Sequence, residues 1–306
     1  MTRFDVVVAG AGPAGIGASL AAARAGASVL LVERYGCAGG AMSLGLALTP
    51  VGYEPFKYWM KKTNPDGWVV QGIARELHDR VAARGGVVKP VWDPEVYKKV
   101  VDELLAEARV RVLFHASVVD ATLDGPRVTG LVLAAREGLI RVQAGVVVDC
   151  TGDGDVFAHA GAEHELGRPG DGRVQPMAQS VVFGGVDLPW TADMAYADMM
   201  EASKGWVSAH VARAVEKGDL PPVMSGYYFP RVVRGRICLD QVWTRLVHVW
   251  GDPTQSRTLS DAEAEARKSL WQVHDWLKAE VPGFERSFIS HTAAQIWPRE
   301  GRRLGG

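Results

Sequence analysis

The sequence predicts an α/β fold whose first part is built on a parallel sheet, and three observations lead to this prediction. A short β-branched apolar run, Phe4–Ala9, ends in the glycine-rich turn Gly10–Gly15. The segment Pro13–Ala25 is rich in good helix formers, and Ser28–Val32 is a second apolar run that ends at Glu33. A strand, a glycine turn, a helix, a second strand and an acid in this order are typical of Rossmann-type dinucleotide-binding folds.

Each position in the turn has a physical task. The first glycine permits a tight turn, the second lets the backbone approach a pyrophosphate, and the third lets the helix pack closely on the strand. The amide groups and the dipole at the start of the helix favour a bound phosphate, and the acid accepts hydrogen bonds from a ribose. The alternative is a glycine-rich turn without a ligand. The pattern predicts nucleotide contacts from Gly10, Gly12, Pro13, Ala14, Gly15 and Glu33.

Bulk composition limits the class of protein. The chain has 306 residues, of which 47% are hydrophobic and 23% charged, so we expect one large or two modest domains. The net charge of -1 argues against nucleic acid as a partner. No apolar run approaches the roughly 20 residues of a membrane span, and the N-terminus enters a strand without a leader. We therefore expect a cytoplasmic protein.

The three cysteines give no sign of a metal or redox centre. Cys37, Cys150 and Cys238 lie far apart and match neither a zinc nor an iron–sulfur spacing. We interpret them as small, buried, reduced residues, and we predict no metal site.

The next part of the chain contains a loop and two helices. We predict a loop or lid over Glu54–Trp68 and a helix over Gly72–Arg84. Asp93 is suited to the N-cap of a second helix, with Pro94 at its first position.

Five apolar segments then predict a β-meander that leads back to the sheet. They are Val110–Phe114, Ser117–Ala121, the hairpin formed by Val128–Ala135 and Leu139–Val142, and the strand Ala144–Cys150. That last strand ends in Thr151, Gly152 and Asp153, at the carboxyl edge where ligands bind in open α/β sheets. Asp153 and Asp155 could instead cap the helix that begins there.

The second half has a mixed pattern. Met177–Phe183 and Arg236–Trp243 are predicted strands, and Thr191–Lys217 and Ser260–Glu280 are predicted helices. Ser260 with Glu263 matches a capping box. We expect most tryptophans of this half to pack in a core, with lining of a substrate cavity as the alternative.

Several segments resemble one flavoprotein family. The resemblance rests on two stretches: Arg34–Ala41, which follows the acid and contains Gly39-Gly40, and Val146–Glu163. Both are similar to the FAD-dependent oxidoreductase family of the glutathione-reductase superfamily, the flavoproteins with two dinucleotide-binding domains. That family is distantly similar to fumarate reductase flavoproteins and to the flavin subunit of heterodisulfide reductases. Further segments resemble sequence motifs of the same family: Gly72–Leu77, Asp93–Glu95, Gly251–Thr254, Val281–Phe284, Arg299–Glu300 and Arg302–Arg303.

The resemblance implies a domain plan. It gives a Rossmann-like FAD-binding domain with a β-meander over residues 1–168, with a helical insertion at about 54–108. A mixed α+β substrate or cap domain covers 169–298, and 299–306 begins the return to the FAD domain. Family members continue with a third FAD-contacting segment, so we expect this chain to be a fragment of a longer enzyme.

The resemblance also assigns cofactor contacts beyond the first turn. The double glycine and the residue after it run along the diphosphate and flavin, although an ordinary flexible turn is the alternative. The implied contacts are Gly39, Gly40, Ala41, the backbone of Val118 at the adenine, and Thr151, Gly152 and Asp153 on the adenosine side.

The sequence identifies no catalytic acid or base. His291, Arg299 and Arg303 are candidates for holding an anionic substrate or the N1–C2=O region of a flavin. Solvated arginines and a hydrogen-bonded histidine are the alternative.

Three functions stay open at this point. The first is an FAD-dependent oxidoreductase that transfers a hydride between a small organic substrate and the flavin. The second is a flavin-binding electron-transfer subunit with an iron–sulfur partner subunit, and the third is a non-catalytic truncated fragment. An NAD-only protein is disfavoured by Gly39-Gly40 and by Thr151–Asp153. The substrate, the electron donor or acceptor, the flavin attachment and homo-oligomer formation cannot be read from these residues.

Overall fold

The computed structural model describes residues 2–49, 70–88, 91–188, 190, 194, 198–199, 202, 206–207, 209–220 and 228–304. The loop or lid predicted over Glu54–Trp68 lies outside these residues. So does most of 191–208, the first part of the helix predicted over Thr191–Lys217.

The first part of the chain forms a six-stranded sheet with helices beside it. Its strands are β1 Thr2–Ala9, β2 Val29–Val32, β5 Arg111–Leu113, β6 Ser117–Asp124, β7 Arg127–Ala135 and β8 Gly138–Asp149. Their order is β5-β2-β1-β8-β7-β6, parallel from β5 to β8 and antiparallel in the meander β6 to β8. The helices are α1 Pro13–Arg24, α2 Ile73–Ala83, α3 Pro94–Glu107 and α4 Asp155–His159. The predicted α/β sheet with a meander is confirmed.

Strand β8 corrects the sequence analysis. The segments Leu139–Val142 and Ala144–Cys150 are parts of one continuous strand, Gly138–Asp149. The first part of β8 pairs with β7, and its second part pairs with β1. At the crossover, Gln143 pairs with Gly130 on β7 and with Arg3 on β1, so the chain needs no turn between the meander and the parallel sheet.

The second half of strand β1, Val6–Ala9, is buried or half-buried and packs on both faces, which explains why it is apolar throughout. Val8 packs with the helices through residues such as Ile16 and Leu104. Val7 and Ala9 pack on the opposite face. Helix α3 begins as predicted, because the Asp93 carboxylate accepts hydrogen bonds from the amides of Glu95 and Val96 at 2.8 and 3.3 Å.

The second part of the chain forms a four-stranded antiparallel sheet with a long helix on one face. The strands are β10 Met177–Gly184, β11 Phe229–Val233, β12 Arg236–Val249 and β13 Phe288–Thr292, in the order β11-β12-β10-β13. The helices are α5 Ala209–Lys217 and α6 Ser256–Glu280. Helix α6 packs on β10 and β12 and buries Leu270 and Val273 against Phe183.

The other face of this sheet meets the first part of the chain. Val182 and Trp243 share a small buried cluster with Leu46, Leu48 and Val91. Asp93 makes a polar link as well, because its second carboxylate oxygen accepts a hydrogen bond from the amide of Arg234 at 2.9 Å.

The predicted capping box at Ser260 and Glu263 is wrong. Helix α6 begins four residues earlier, at Ser256, so Ser260 lies inside the helix and its hydroxyl donates to the Ser256 carbonyl at 2.8 Å. Glu263 instead accepts a hydrogen bond from the amide of Ile296 at 2.6 Å. The hydrogen-bond partner of this carboxylate thus lies far along the chain, and the local sequence pattern does not reveal it.

Four short strands complete the described fold. β3 Val87–Val88 pairs with β4 Val91–Trp92, and β14 Arg302–Leu304 pairs antiparallel with β9 His164–Leu166. Within the ranges that the structure describes, no helix combines the length and the apolar character needed to cross a bilayer.

Candidate cofactor and substrate cavities

The glycine turn joins β1 to α1 at the carboxyl edge of the sheet. Gly10 has a φ of +95°, and a Cβ there would overlap with the carbonyl oxygen of Cys150. A Cβ on Gly15 would overlap with the Gly10 carbonyl, so the helix lies directly against the turn. Gly12 caps the helix and Pro13 is its first residue. Gly10 and Gly15 are thus required by two different close contacts. Of the three glycines in the turn, only Gly12 has open space where a side chain would be.

A cavity of about 350 Å³ lies at this edge of the sheet. It is lined by the glycine turn, by the end of β2, by the start of β6 and by the loop after β8. Most of the sequence-predicted site residues lie together in this lining: Gly10, Gly12, Pro13, Ala14, Glu33, Gly40, Ala41, Val118, Thr151, Gly152 and Asp153. Gly15 and Gly39 lie outside the lining.

Glu33 lies in the wall of this cavity and is 6% exposed. Its carboxylate accepts a hydrogen bond from the amide of Ala11 at 2.8 Å and another from the amide of Tyr35 at 2.9 Å. The same side chain therefore fixes the glycine turn and the loop after β2. A carboxylate oxygen can accept more than one hydrogen bond, so these contacts are compatible with an additional ribose hydroxyl.

The double glycine separates into two roles. Gly39 has a φ of +114° and its amide donates to the Ala11 carbonyl at 2.7 Å, so it holds its own loop against the glycine turn. A Cβ on Gly39 would overlap with Ser43 and lie 2.6 Å from the Tyr97 ring. Gly40 lines the cavity, and a Cβ there would lie 3.0 Å from Cα of Gly12. Gly39 is thus required by packing and Gly40 by the approach of two backbones.

Asp149 organises the loop after β8, and the sequence analysis did not single it out. One carboxylate oxygen accepts from the amide and the hydroxyl of Thr151, at 3.1 and 2.7 Å. The other oxygen accepts from the amide of Phe157 at 3.0 Å. The hydroxyl of Thr151 in turn accepts from the amide of Asp155 at 2.8 Å. The signal in the sequence that could have indicated this role is the position of the aspartate, two residues before the Thr-Gly-Asp segment.

Neither aspartate of the loop is the N-cap of α4. Gly154, in the left-handed region, occupies that position, and Asp155 is the first helical residue. The Asp155 carboxylate accepts a hydrogen bond from Arg302 at 3.0 Å. Oδ1 of Asp153 is buried and has no hydrogen-bond partner within the described ranges. Burial, with the nearby Asp155 carboxylate, raises the pKa of Asp153.

The lining fits a flavin dinucleotide. A Cβ added at Gly12 or Gly152 would have no other atom within 4 Å, so there is open space beside both glycines. The N-terminus of α1 has no acidic residue in its first turn, which suits a diphosphate. Glu33 and the unpartnered Asp153 supply polar groups for hydroxyls. A model of the family described as FAD dependent oxidoreductase matches residues 5–306.

The chain belongs to the FAD dependent oxidoreductase family.

Individual relatives agree with this assignment. Digeranylgeranylglycerophospholipid reductase 1 from Methanopyrus kandleri is 35% identical over 162 residues, which is 49% of this chain and 40% of that protein. Among solved structures, a geranylgeranyl bacteriochlorophyll reductase-like protein from Thermoplasma acidophilum has a TM-score of 0.55 at 14% identity, covering 96% of this chain and 66% of that one. A p-nitrophenol 4-monooxygenase from Pseudomonas putida has a TM-score of 0.54 at 16% identity, covering 95% and 67%. The match to the M. kandleri enzyme thus spans less than half of that protein's length, and the two structures show a shared fold.

A second cavity adjoins the first, which we call the cofactor cavity. Its volume is about 590 Å³, and Pro13, Trp297, Pro298 and Arg299 line both cavities. The remaining lining includes apolar and aromatic residues as well as polar and charged ones: Met42, Ala47, Thr49, Trp92, Tyr97, Gln175, Arg245 and Glu300.

The three candidate catalytic residues lie in different places. Arg299 lies in the wall between the two cavities. Arg303 is on β14, where it forms ion pairs with Glu165 and Glu300 at 3.1 and 3.4 Å. His291 is on β13 and lies 2.8 Å from the Arg231 guanidinium. Burial and Arg231 lower the pKa of His291. Of the three, only Arg299 lines the cofactor cavity.

The part of the chain that the structure describes holds no group of three or more metal-ligating side chains. Cys37, Cys150 and Cys238 are free thiols, half-buried rather than fully buried. Desolvation by burial raises the pKa of each thiol, which disfavours the reactive thiolate.

Proposed function

We propose that this chain transfers a hydride between its bound FAD and a small organic substrate held in the second cavity. The observation that carries the proposal is the wall shared by the two cavities, formed by Pro13, Trp297, Pro298 and Arg299. A substrate in the second cavity is thereby adjacent to whatever part of the cofactor reaches that wall.

The residues of the chain have separate tasks in this proposal. The glycine turn and Glu33 bind the nucleotide part of FAD, and the Thr151–Asp153 loop closes the other side of its cavity. Trp297 offers flat apolar surface to the substrate, and the almost fully buried Trp92 and Tyr97 help to exclude water. When bound, FAD supplies the two-electron centre, so that a substrate C–H bond is broken or formed while one proton is exchanged with solvent.

The test uses the chain loaded with FAD under anaerobic conditions. The probe is N-benzyl dihydronicotinamide, a neutral organic hydride donor, used with hydrogen or deuterium at the transferred position. We expect the visible flavin absorbance to bleach, and to bleach more slowly with the deuterated donor.

A cavity variant locates the reaction. Ala47 lines the second cavity, so Ala47→Phe should slow bleaching roughly tenfold or more, because a misplacement of about 1 Å costs on the order of 100-fold. The control is Ala106→Phe, at an exposed position of α3.

Three results would overturn the proposal. Bleaching that is insensitive to deuterium means that no hydride is transferred in the measured step. Reduction only by one-electron reagents favours the electron-transfer subunit, and failure to retain FAD favours the non-catalytic fragment.

A further inference from the structure

Two arginines without an acidic partner in the described structure lie in the wall of the second cavity. Arg245 is half-buried on β12, and Arg299 follows β13 at the border with the cofactor cavity. No described carboxylate forms an ion pair with either guanidinium. Some other arginines of the described chain, such as Arg302 with Asp155, do have an acidic partner. The half-buried Arg245 thus carries unpaired positive charge that is partly withdrawn from water, which is costly unless an anion neutralises it, whereas Arg299 is exposed.

Arg245 is held in place by an aromatic ring rather than by a carboxylate. Its guanidinium carbon lies 5.2 Å from the centroid of the Trp297 ring. Trp297 is itself fixed, because its amide and carbonyl exchange hydrogen bonds with Ala178 of β10 at 3.0 and 3.2 Å. Stacking leaves the edge of a guanidinium free to form two parallel hydrogen bonds to an anion.

The local field is positive from more than one direction. Desolvation and the charge of Arg299 lower the pKa of Arg245. Burial and the same two arginines lower the pKa of His248, on the same strand. The carboxylate in the lining, Glu300, is engaged elsewhere: it accepts from Gln175 Nε2 at 3.1 Å and pairs with Arg303.

We propose that the second cavity binds an organic anion, with a carboxylate or phosphate group at Arg245 and Arg299 and an apolar body against Trp297 and the other apolar residues of the lining. This inference rests on the proposed function, since it names the class of substrate for the same cavity. Arg245 lines only the second cavity, whereas Arg299 also lines the cofactor cavity. Arg245 is therefore the residue that selects substrate charge.

Calorimetric titration tests the inference on both the FAD-free and the FAD-saturated chain. The probes are benzoate, phenyl phosphate and the neutral isostere benzamide. We expect an anion to bind about tenfold to 100-fold more tightly than benzamide, as is typical of hydrogen bonds to charged groups. Whichever of benzoate and phenyl phosphate binds more tightly identifies the anionic group.

Variants assign the preference to the arginines. Arg245→Met should remove the preference for the anion while leaving FAD affinity unchanged, and Arg245→Lys should retain part of it. Arg299→Gln should weaken both anion and FAD binding. The control is Arg136→Met, at an exposed position between β7 and β8.

Two results would overturn the inference. Equal affinity for benzoate, phenyl phosphate and benzamide shows that the cavity does not select charge. Loss of FAD affinity in Arg245→Met, with the anion preference intact, shows that this arginine serves the cofactor instead. Because calorimetry needs no hydride transfer, the charge preference and the proposed redox function can fail independently.

Discussion

Glu33 and Ala11 are joined by a buried hydrogen bond between positions 22 residues apart, in which the Ala11 amide donates to Oε2 of Glu33 at 2.8 Å. The acid of the dinucleotide fingerprint therefore supports the glycine turn directly. Its other oxygen holds the amide of Tyr35. The side chain that the sequence assigns to the ribose thus also has a structural task.

Glu33→Gln tests this double role. The new amide group places a donor where the carboxylate accepted a backbone N–H, and leaving a buried group unpaired costs about 1–3 kcal/mol. We expect a lower free energy of unfolding in the absence of FAD and roughly tenfold or greater loss of FAD affinity, measured by denaturant unfolding and by FAD fluorescence titration. The control is the exposed Glu137→Gln. Unchanged stability in Glu33→Gln would show that Glu33 has no structural role.

Three glycines of the first turn and helix should respond differently to alanine. Gly12→Ala adds a methyl group in the cavity lining where no described atom lies within 4 Å, so FAD affinity should fall roughly tenfold or more with little change in stability. Gly10→Ala should destabilise the chain by about 2–5 kcal/mol, because its φ is positive and the methyl group overlaps with Cys150.

Gly17→Ala is the matched control within α1. It has open space and an ordinary helical position, so it should stabilise the chain by about 0.5–1 kcal/mol without affecting FAD. Thermal unfolding and FAD titration of the three variants separate turn geometry from cofactor contact. Retained FAD affinity in Gly12→Ala would contradict the placement of the diphosphate.

These positions show which parts of the site the sequence could predict. The glycine turn and Glu33 were predictable because their geometry is set within one strand–helix–strand unit. The tasks of Gly39 and Asp149 depend on loops that pack together only in the folded chain, such as Gly39 against Ala11. The separation of Arg299 from His291 and Arg303 depends on sheet packing, which residue type alone does not specify.

The same limit applies to the fold. The parallel strands and the N-cap at Asp93 follow from local pattern, and the structure confirms them. The start of α6 does not, because the helix begins at Ser256 and not at the predicted cap, Ser260. Glu263, the other residue of the predicted cap, accepts a hydrogen bond from the amide of Ile296, 33 residues away, which local pattern does not reveal.

Asp93 provides a test of how the two sheets are joined. Oδ1 caps α3, and Oδ2 accepts from the amide of Arg234 between β11 and β12. Asp93→Asn can preserve the cap but places an amino group against one backbone N–H, so we expect a loss of about 1–3 kcal/mol in denaturant unfolding. Asp93→Ala should cost more, because the cap is lost as well. The exposed Asp124→Asn is the control, and unchanged stability in Asp93→Asn would show that the link to Arg234 contributes nothing.

Asp153 should make the stability of the FAD-free chain depend on pH. Its pKa is raised in the folded state by burial and by Asp155, so the folded chain holds this proton more tightly than the unfolded chain does. Stability should therefore decrease as the pH rises from the ordinary aspartate pKa through the raised one, and the full penalty is present above the raised pKa. Asp153→Asn removes that penalty, so its unfolding temperature should exceed that of the unchanged chain at neutral pH, with the difference vanishing in acid. Asp124→Asn, which changes an exposed aspartate, should show no such trend. If Asp153 also contacts FAD, the stabilised variant should bind the cofactor less tightly. A variant that is less stable at neutral pH would mean that the folded chain favours the charged carboxylate.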